Sequence, residues 1–192
     1  MQRIPTHVFI DIESLDTERT AQLLSVALYP INMNGKELPA IEVVIDQSTA
    51  TGTMSPDTVG WWARQSPEAQ QRVFGNPNAI PEPEAVRRLD RFLRNFYDDF
   101  RVWGNGATFD IGKLSALFAR NGYGEPWKFW NERDVRTIVE LGQLTGRDYK
   151  QSLRFEGTPH VALDDARHQA RYTQRTISDI VESLHRLRGL EK

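Results

Sequence analysis

Asp11 and Glu13 stand two residues apart at the end of the apolar run His7 to Ile12 (HVFIDI). A strand repeats every two residues, so both carboxylates would face the same way. Two acids on one buried face repel each other and lose hydration, and a hard divalent cation with oxygen ligands is their natural partner. The alternative is a strand that ends at Ile10 and leaves both acids as solvated turn residues. Asp110 follows the short apolar stretch Arg101 to Gly104 (RVWG) and opens a helical pattern, where an acid is also favoured by the helix dipole. His160 and Asp165, with four residues between them, straddle a loop-to-helix junction. That spacing puts a titratable base beside a candidate metal ligand. Taken singly, the two are an ordinary surface histidine and an ordinary N-terminal helix acid. Asp164 points elsewhere on the helix and reads as a solvated neighbour. Gly104 and Gly106 do not make a dinucleotide-binding loop, because position 109, where a third glycine would stand, is Phe.

The elements that must carry these residues are legible in outline. His7 to Ile12, Leu23 to Tyr29 and Ile41 to Ile45 read as three strands. Their short connections, one holding the turn dipeptide Asn34-Gly35, predict an antiparallel meander, since a parallel crossover needs a longer link. Ser55-Pro56 and Ser66-Pro67 each pair an N-cap with proline at the first helical position. Pro83 to Phe100 places Val86, Leu89, Leu93 and Phe96 at helical spacing, with Arg87, Arg88, Arg91 and Arg94 on or beside the other face. Arg101 to Gly104 predicts a strand and Asp110 to Arg120 a helix, ended by Asn121-Gly122. Asp134 to Gly142 reads as a further helix, Leu153 to Pro159 as loop, and Ala162 to about Leu187 as one long helix. The Pro-rich stretch Asn76 to Pro83 reads as a surface loop. The order implies a mixed sheet covered by helices, in the α/β class, with residues 1–192 forming one domain.

Composition narrows the function. The 192 residues are 39% hydrophobic and 26% charged, as in a soluble globular chain. The formal net charge of −2 excludes a strongly basic coat for nucleic acid, so any such binding must be local or metal-assisted. With no Cys there is no disulfide, no thiolate zinc site and no thiol nucleophile. Residues 1–5 lack the apolar stretch of a secretory leader, and no apolar run is long enough for a membrane span. A cytoplasmic location is the expectation.

Together the motifs Asp11-Ile12-Glu13, Asn105-Gly-Ala-Thr-Phe109-Asp110 and His160-Val-Ala-Leu-Asp-Asp165-Ala166 resemble the DEDDh branch of the 3′–5′ exonucleases, in the ribonuclease-H-like superfamily. Order and spacing agree from His7 to the long helix. A closer likeness is to the phage and bacterial ribonuclease AS-like exoribonucleases. It is carried by Pro56-Asp57-Thr58-Val59-x-Trp61-Trp62, Trp103-Gly104-Asn105-Gly106, Trp127-Lys128-Phe129-Trp130-Asn131 and Asp134-Val135-Arg136-Thr137. Two departures from the wider family are an extra residue between Asn105 and Phe109 and Ser14 where many members have Thr.

The resemblance implies a ribonuclease-H-like mixed sheet, with an antiparallel three-strand meander plus parallel strands, flanked by helices. It implies that Asp11, Glu13, Asp110 and Asp165 hold two Mg²⁺ or Mn²⁺ ions, carrying the formal net charge from −2 to about +2. His160 would act as general base. The expected activity is 3′–5′ exonucleolytic release of nucleoside 5′-monophosphates from single-stranded RNA or DNA 3′ ends, with RNA modestly favoured. A non-catalytic nucleic-acid-binding module and a ribonuclease-H-type endonuclease are the alternatives; the binding module would normally have lost one of these five residues. A homodimer is a further implication.

Around this centre, Ser14, Leu15, Trp61, Trp62, Asn105 and Phe109 are candidate substrate contacts. The resemblance puts Leu15 under the terminal base. Adjacent residues on a helix point about 100° apart, so one of Trp61 and Trp62 can pack inward while the other faces a cleft and stacks on a base. Phe109 and Trp103 read first as core aromatics. Trp127, Phe129 and Trp130 are expected at a core edge or a subunit interface. Arg167, Arg171 and Arg175 form an i, i+4, i+8 stripe, read as a solvated face or a phosphate contact, and Lys113 and Arg136 are further candidates for phosphate.

Overall fold

The structure, a computed structural model, describes residues 6–96 and 100–190. Residues 1–5, read above for a leader, and residues 97–99, within the helix expected to Phe100, lie outside the described residues. The meander forms as expected. β1 (Thr6–Ser14), β2 (Leu23–Asn32) and β3 (Ile41–Val44) are antiparallel, with Asp11 opposite Ala27, which in turn lies opposite Glu42. On the other edge of β1, β4 (Arg101–Gly104) runs parallel, pairing Phe9 with Trp103 and Ile10 with Gly104. A fifth strand, β5 (Glu132–Asp134), runs parallel to β4, giving the sheet order β3-β2-β1-β4-β5. Its sequence, Glu-Arg-Asp, has no apolar pattern; pairing with β4 makes it a strand.

The pleat of β1 divides the core. Val8, Ile10 and Ile12 point into the layer containing α3 (Glu82–Arg94) and α4 (Ala107–Arg120), against Leu89, Leu93, Leu114, Leu117 and Phe118. Phe9 points the other way, with Ala27, Tyr29 and Trp103, toward α5 (Val135–Leu144) and α7 (Ala162–Leu190). Ala162, Ala166 and Ala170 recur every four residues on α7 and are all buried against this face. Small side chains at that spacing let a long helix lie close to the sheet. α1 (Pro56–Trp62) and α2 (Pro67–Val73) begin at the two Ser-Pro pairs, and Trp62, Ala69 and Val73 form a small cluster with Leu15 and Leu24. Ser66 caps α2 by accepting from the Ala69 N–H at 3.2 Å.

Several boundaries differ from the sequence expectation. α3 ends at Arg94, before the residues expected to continue it. α4 begins three residues early, at Ala107, because Gly106 (φ 102°) turns the chain directly from strand into helix. Within the Pro-rich surface loop, Ile80 pairs with the end of β3 through Ile80 N–H to Val44 O at 2.9 Å. α6 (Tyr149–Ser152) is one short turn that no periodicity announced. Among the described residues no helix is long and apolar enough to cross a membrane.

Glu82 ties three segments together at the start of α3. Its buried carboxylate accepts from Thr51 N–H (2.9 Å), Thr51 Oγ1 (2.6 Å), Arg120 Nη2 (3.1 Å) and Asn121 Nδ2 (2.9 Å). Burial alone would raise its pKa; the hydrogen bonds from Arg120, Thr51 and Asn121 outweigh burial and hold it below the ordinary carboxylate range. That stabilisation is present at neutral pH and fades as acid protonates the group. Glu82→Ala, which strands Arg120, is expected to cost about 3–5 kcal/mol and to lower the melting temperature by roughly 10 °C. A fall of only about a degree in a thermal melt would contradict this role.

Candidate active site

Each acid reaches the site by a different local device. Asp11 and Glu13 share the α7-facing side of β1 with Phe9, as strand alternation requires. Asp110 arrives from the first turn of α4, immediately beyond β4, the parallel neighbour of β1. Gly104 lets Asp110 pack closely, because a Cβ there would lie 3.0 Å from Asp110 Cβ and 3.3 Å from Ala107 Cα and would push the acid back. The Asn105 N–H holds Asp110 Oδ2 at 2.7 Å, and Asp134, at the end of β5, accepts from the N–H groups of both Ala107 (2.6 Å) and Arg136 (2.7 Å). One carboxylate thus fixes the starts of α4 and α5 together.

The His160 loop is set by α7. Asp165 Oδ2 accepts from the His160 N–H at 2.7 Å, and His160 itself adopts φ 64°, a conformation unusual for a residue with a side chain. Asp164 is not the solvated neighbour expected from its sequence position. It accepts from the Thr158 N–H at 3.0 Å and pairs with Arg167 at 3.3 Å, so it shapes the same loop.

These devices bring Asp11, Glu13, Asp110, His160 and Asp165 into one chamber of about 270 Å³, with Ile12, Asn105, Phe109, Arg136 and Gln169 in its wall. Ligand atoms of Glu13, His160 and Asp165 all lie within 4.8 Å of one another. The chamber resists the charge it holds. Burial, reinforced by Glu13, Asp110 and Asp165, raises the Asp11 pKa well above normal. Burial and neighbouring acids push Glu13 up to about 8, and burial lifts Asp110 to about 7 and Asp165 to about 6. Burial lowers the His160 pKa, leaving a neutral imidazole at neutral pH. Among the described residues none of the four acids has a Lys or Arg ion pair. Their donor set is hard oxygen, the buried Asn105 Oδ1 beside them has no partner, and the arrangement fits divalent cations.

A second, mostly apolar chamber of about 370 Å³ adjoins the first and shares Ile12, Glu13 and Phe109 with it. Ser14, Asp16, Thr17, Asp57, Thr58, Trp61 and Trp62 complete it. The adjacent tryptophans divide as helical geometry requires. Trp62 is 2% exposed and donates Nε1–H to Ser14 O at 3.0 Å, while Trp61 is 36% exposed, edge-on to Trp62 and 4.8 Å from the His160 ring. Phe109 is also 36% exposed, so it is a wall residue and not the core aromatic its sequence suggested. Trp103 is core, stacked on Phe9 at 5.4 Å. Leu15 is buried with Leu24, Trp62, Ala69 and Val73 and is absent from the chamber lining, which removes it from beneath a bound base. The register slip between Glu13 and Ser14 accompanies that change of direction. Ser14 reaches the lining, but its hydroxyl donates to Asp16 O at 2.9 Å.

The basic residues sort cleanly. Lys113 is fully buried; its Nζ donates to Thr17 O at 3.1 Å and lies 3.1 Å from the centre of the Phe109 ring, so it braces the wall and does not reach for phosphate. Arg136 is exposed at the chamber rim, packed over Gly106, where a Cβ would come within 3.1 Å of its Cζ. Arg167, Arg171 and Arg175 pair with Asp164, Glu156 and Asp179 and line neither chamber. Trp127 is buried, whereas Phe129 and Trp130 are exposed. Sequence reasoning missed Gln169, whose Nε2 donates to Asp11 Oδ1 at 2.6 Å; its place four residues after Asp165 was the available signal.

Comparison with known proteins agrees with this geometry. Residues 6–177 match the model of the Rv2179c-like 3′–5′ exoribonuclease domain. The exodeoxyribonuclease of Enterobacteria phage T4 is 24% identical over 157 residues, 68% of this chain and 69% of the relative. Among solved structures, a full-length 3′-exonuclease superposes with a TM-score of 0.62 at 12% identity, over 93% of this chain and 84% of the other. E. coli exonuclease I in complex with a dA16 oligonucleotide gives 0.61 at 14% identity, over 88% of this chain but 40% of the larger enzyme. The chain belongs to the Rv2179c-like 3′–5′ exoribonuclease domain family and is a DEDDh-type 3′–5′ exonuclease acting on nucleic acid. Membership implies dependence on a divalent metal.

The raised acids make metal-free stability depend on pH with a definite sign. Each binds its proton more tightly folded than unfolded, so the contribution is full below the ordinary carboxylate pKa and is lost as pH rises through about 6, 7 and 8. In chelator the melting temperature should fall between about pH 5.5 and about pH 8, and Mg²⁺ added at the upper end should restore it. A metal-free melting temperature that stays flat or climbs over that range would show that the four groups are not crowded as described.

Proposed function

We propose that this member of the family shortens single-stranded nucleic acid from its 3′ end, one nucleoside 5′-monophosphate at a time, with RNA modestly preferred over DNA. One observation carries the reading: four acids and a neutral imidazole line one chamber that opens directly onto an apolar one sized for a nucleoside. Residues 1–192 are read as one exonuclease domain.

Asp11, Glu13, Asp110 and Asp165 would hold a pair of Mg²⁺ or Mn²⁺ ions, which when bound acidify water and offset charge on the leaving 3′ oxygen. His160, neutral at working pH, takes the proton of the attacking water, and its positive-φ backbone, locked by Asp165, fixes where the ring can sit. Trp61 and Phe109 hold the terminal base between partly exposed rings, contacts worth roughly 1–3 kcal/mol per stacked base and indifferent to sequence. Trp62 anchors Trp61 from below through its bond to Ser14 O. Asn105, in the chamber wall, contacts the bound nucleotide, and Arg136 meets a phosphate at the rim.

Matched 5′-labelled RNA and DNA oligonucleotides test the reading together. With Mg²⁺ both should yield a descending ladder in single-nucleotide steps; EDTA or a 3′-phosphate should stop it, whereas an endonuclease would cut the blocked chain. Asp110→Asn should abolish turnover and, by removing one of four crowded charges, raise the metal-free melting temperature at about pH 8 by roughly 3 °C or more. His160→Ala should lower kcat by about 10²–10⁴-fold while leaving metal binding nearly intact. Wild-type turnover in either variant would contradict the roles assigned.

A further inference from the structure

Gln169 is the one buried polar group around the acid chamber for which the reading above provides no use. Four residues from Asp165, it lies one turn along the same face of α7, so a single helix delivers a carboxylate and a carboxamide to the same chamber. It is 5% exposed. Nε2 donates to Asp11 Oδ1 at 2.6 Å, and Oε1 is buried with no partner. A half-satisfied buried amide costs about 1–3 kcal/mol, and the surroundings favour something else: Phe9, Ala166, Ala170 and Tyr172 pack in the same layer. For stability alone a leucine would serve better at this position.

The bond has a specific consequence for Asp11. That carboxylate stands on a central strand among three other acids, with no ion pair to Lys or Arg among the described residues. A single N–H donor restricts rotation of the carboxyl group and occupies one lone pair of Oδ1, leaving the other acceptor sites of the carboxylate for another partner.

Resting on the two-ion reading above, we propose that Gln169 is a positioning residue that orients Asp11 for a divalent cation. It touches neither nucleotide nor the reacting atoms. Groups that orient metal ligands in this way typically govern metal affinity by about 10–100-fold, and a residue that merely packs does not.

The test replaces Gln169 with two apolar side chains of similar size, Gln169→Leu and Gln169→Met, so that misfolding of one leaves the other informative. Mn²⁺ binding is measured by calorimetry and by the metal-induced shift in melting temperature, both without substrate. Turnover of a labelled oligonucleotide is then followed across a Mn²⁺ titration. The expected result is metal-free stability equal to or above wild type, a Mn²⁺ Kd weaker by about 10–100-fold, and kcat largely recovered at saturating Mn²⁺. A folded variant with a Mn²⁺ Kd within about threefold of wild type overturns the proposal, whatever its stability. Loss of folding in both variants also overturns it, since Gln169 would then be a structural requirement. Should wild type itself bind no Mn²⁺ and release no ladder, the two-ion reading fails, and that outcome is separate from the Gln169 result.

Discussion

Four carboxyl groups facing one another across about 270 Å³ are the constraint that the surrounding structure answers. Like charges at such range, taken out of water, oppose folding, and a chain gains nothing from assembling them unless a cation is to follow. The sheet makes the assembly unavoidable. Asp11 and Glu13 are fixed by the pleat of a central strand with Val8, Ile10 and Ile12 buried behind it, so neither acid can swing away without moving the core. Parallel pairing of β4 with β1 brings the turn at Asn105 and Gly106 to the same end, and Asp110 follows within one helical turn. α7 closes the chamber from the opposite layer, held down by its alanine stripe.

Backbone conformation does as much of the positioning as side-chain packing. Gly104 permits Asp110 to lie against the end of β4, Gly106 turns strand into helix, and His160 is kept at positive φ by the N–H bond to Asp165. Two of the hydrogen bonds that shape these loops, from Asn105 N–H to Asp110 and from His160 N–H to Asp165, end on the site's own acids, and a third, from Ala107 N–H, ends on Asp134. Asp110 and Asp165 therefore shape the loops around them and line the chamber at once, which is why they are less perturbed than Glu13.

Much of this was legible in the sequence. The meander, the Ser-Pro helix starts, β4 and the shared face of Asp11 and Glu13 rest on local patterns, period two and capping chemistry, whereas the grouping of Asp110 with His160 and Asp165 came from the family resemblance of the joined motifs. The misses share a cause, which is that the neighbours deciding them are distant in the chain. β5 is three polar residues made into a strand by β4. Lys113 reads as a candidate for phosphate, yet a ring four residues earlier and a carbonyl from the loop after β1 accommodate it in the interior. Leu15 was expected under a base, but the small cluster formed by α1 and α2 takes it into the core. Phe109 goes the opposite way, from expected core to chamber wall. The Arg167, Arg171 and Arg175 stripe is real as periodicity, but its partners lie partly in the loop before α7 and on α7 itself.

The acids are not equivalent, and the reason lies in what each can borrow from its surroundings. Asp110 is relieved by the Asn105 and Ile12 N–H groups and by the charges of Lys113 and Arg136, and Asp165 by the N–H groups of His160 and Val161. Asp11 has the amide of Gln169. Among the described residues Glu13 has no compensating donor; burial, Asp165, Asp110 and Glu42 all act against its charge. It is also shared by both chambers and lies within ligand distance of His160 and Asp165. The carboxylate that lacks a hydrogen-bond donor is therefore the one standing where base, imidazole and cation would meet. A positive charge arriving there would favour the ionised forms of Glu13 and its neighbours together, because the charge of each acid raises the proton affinity of the others.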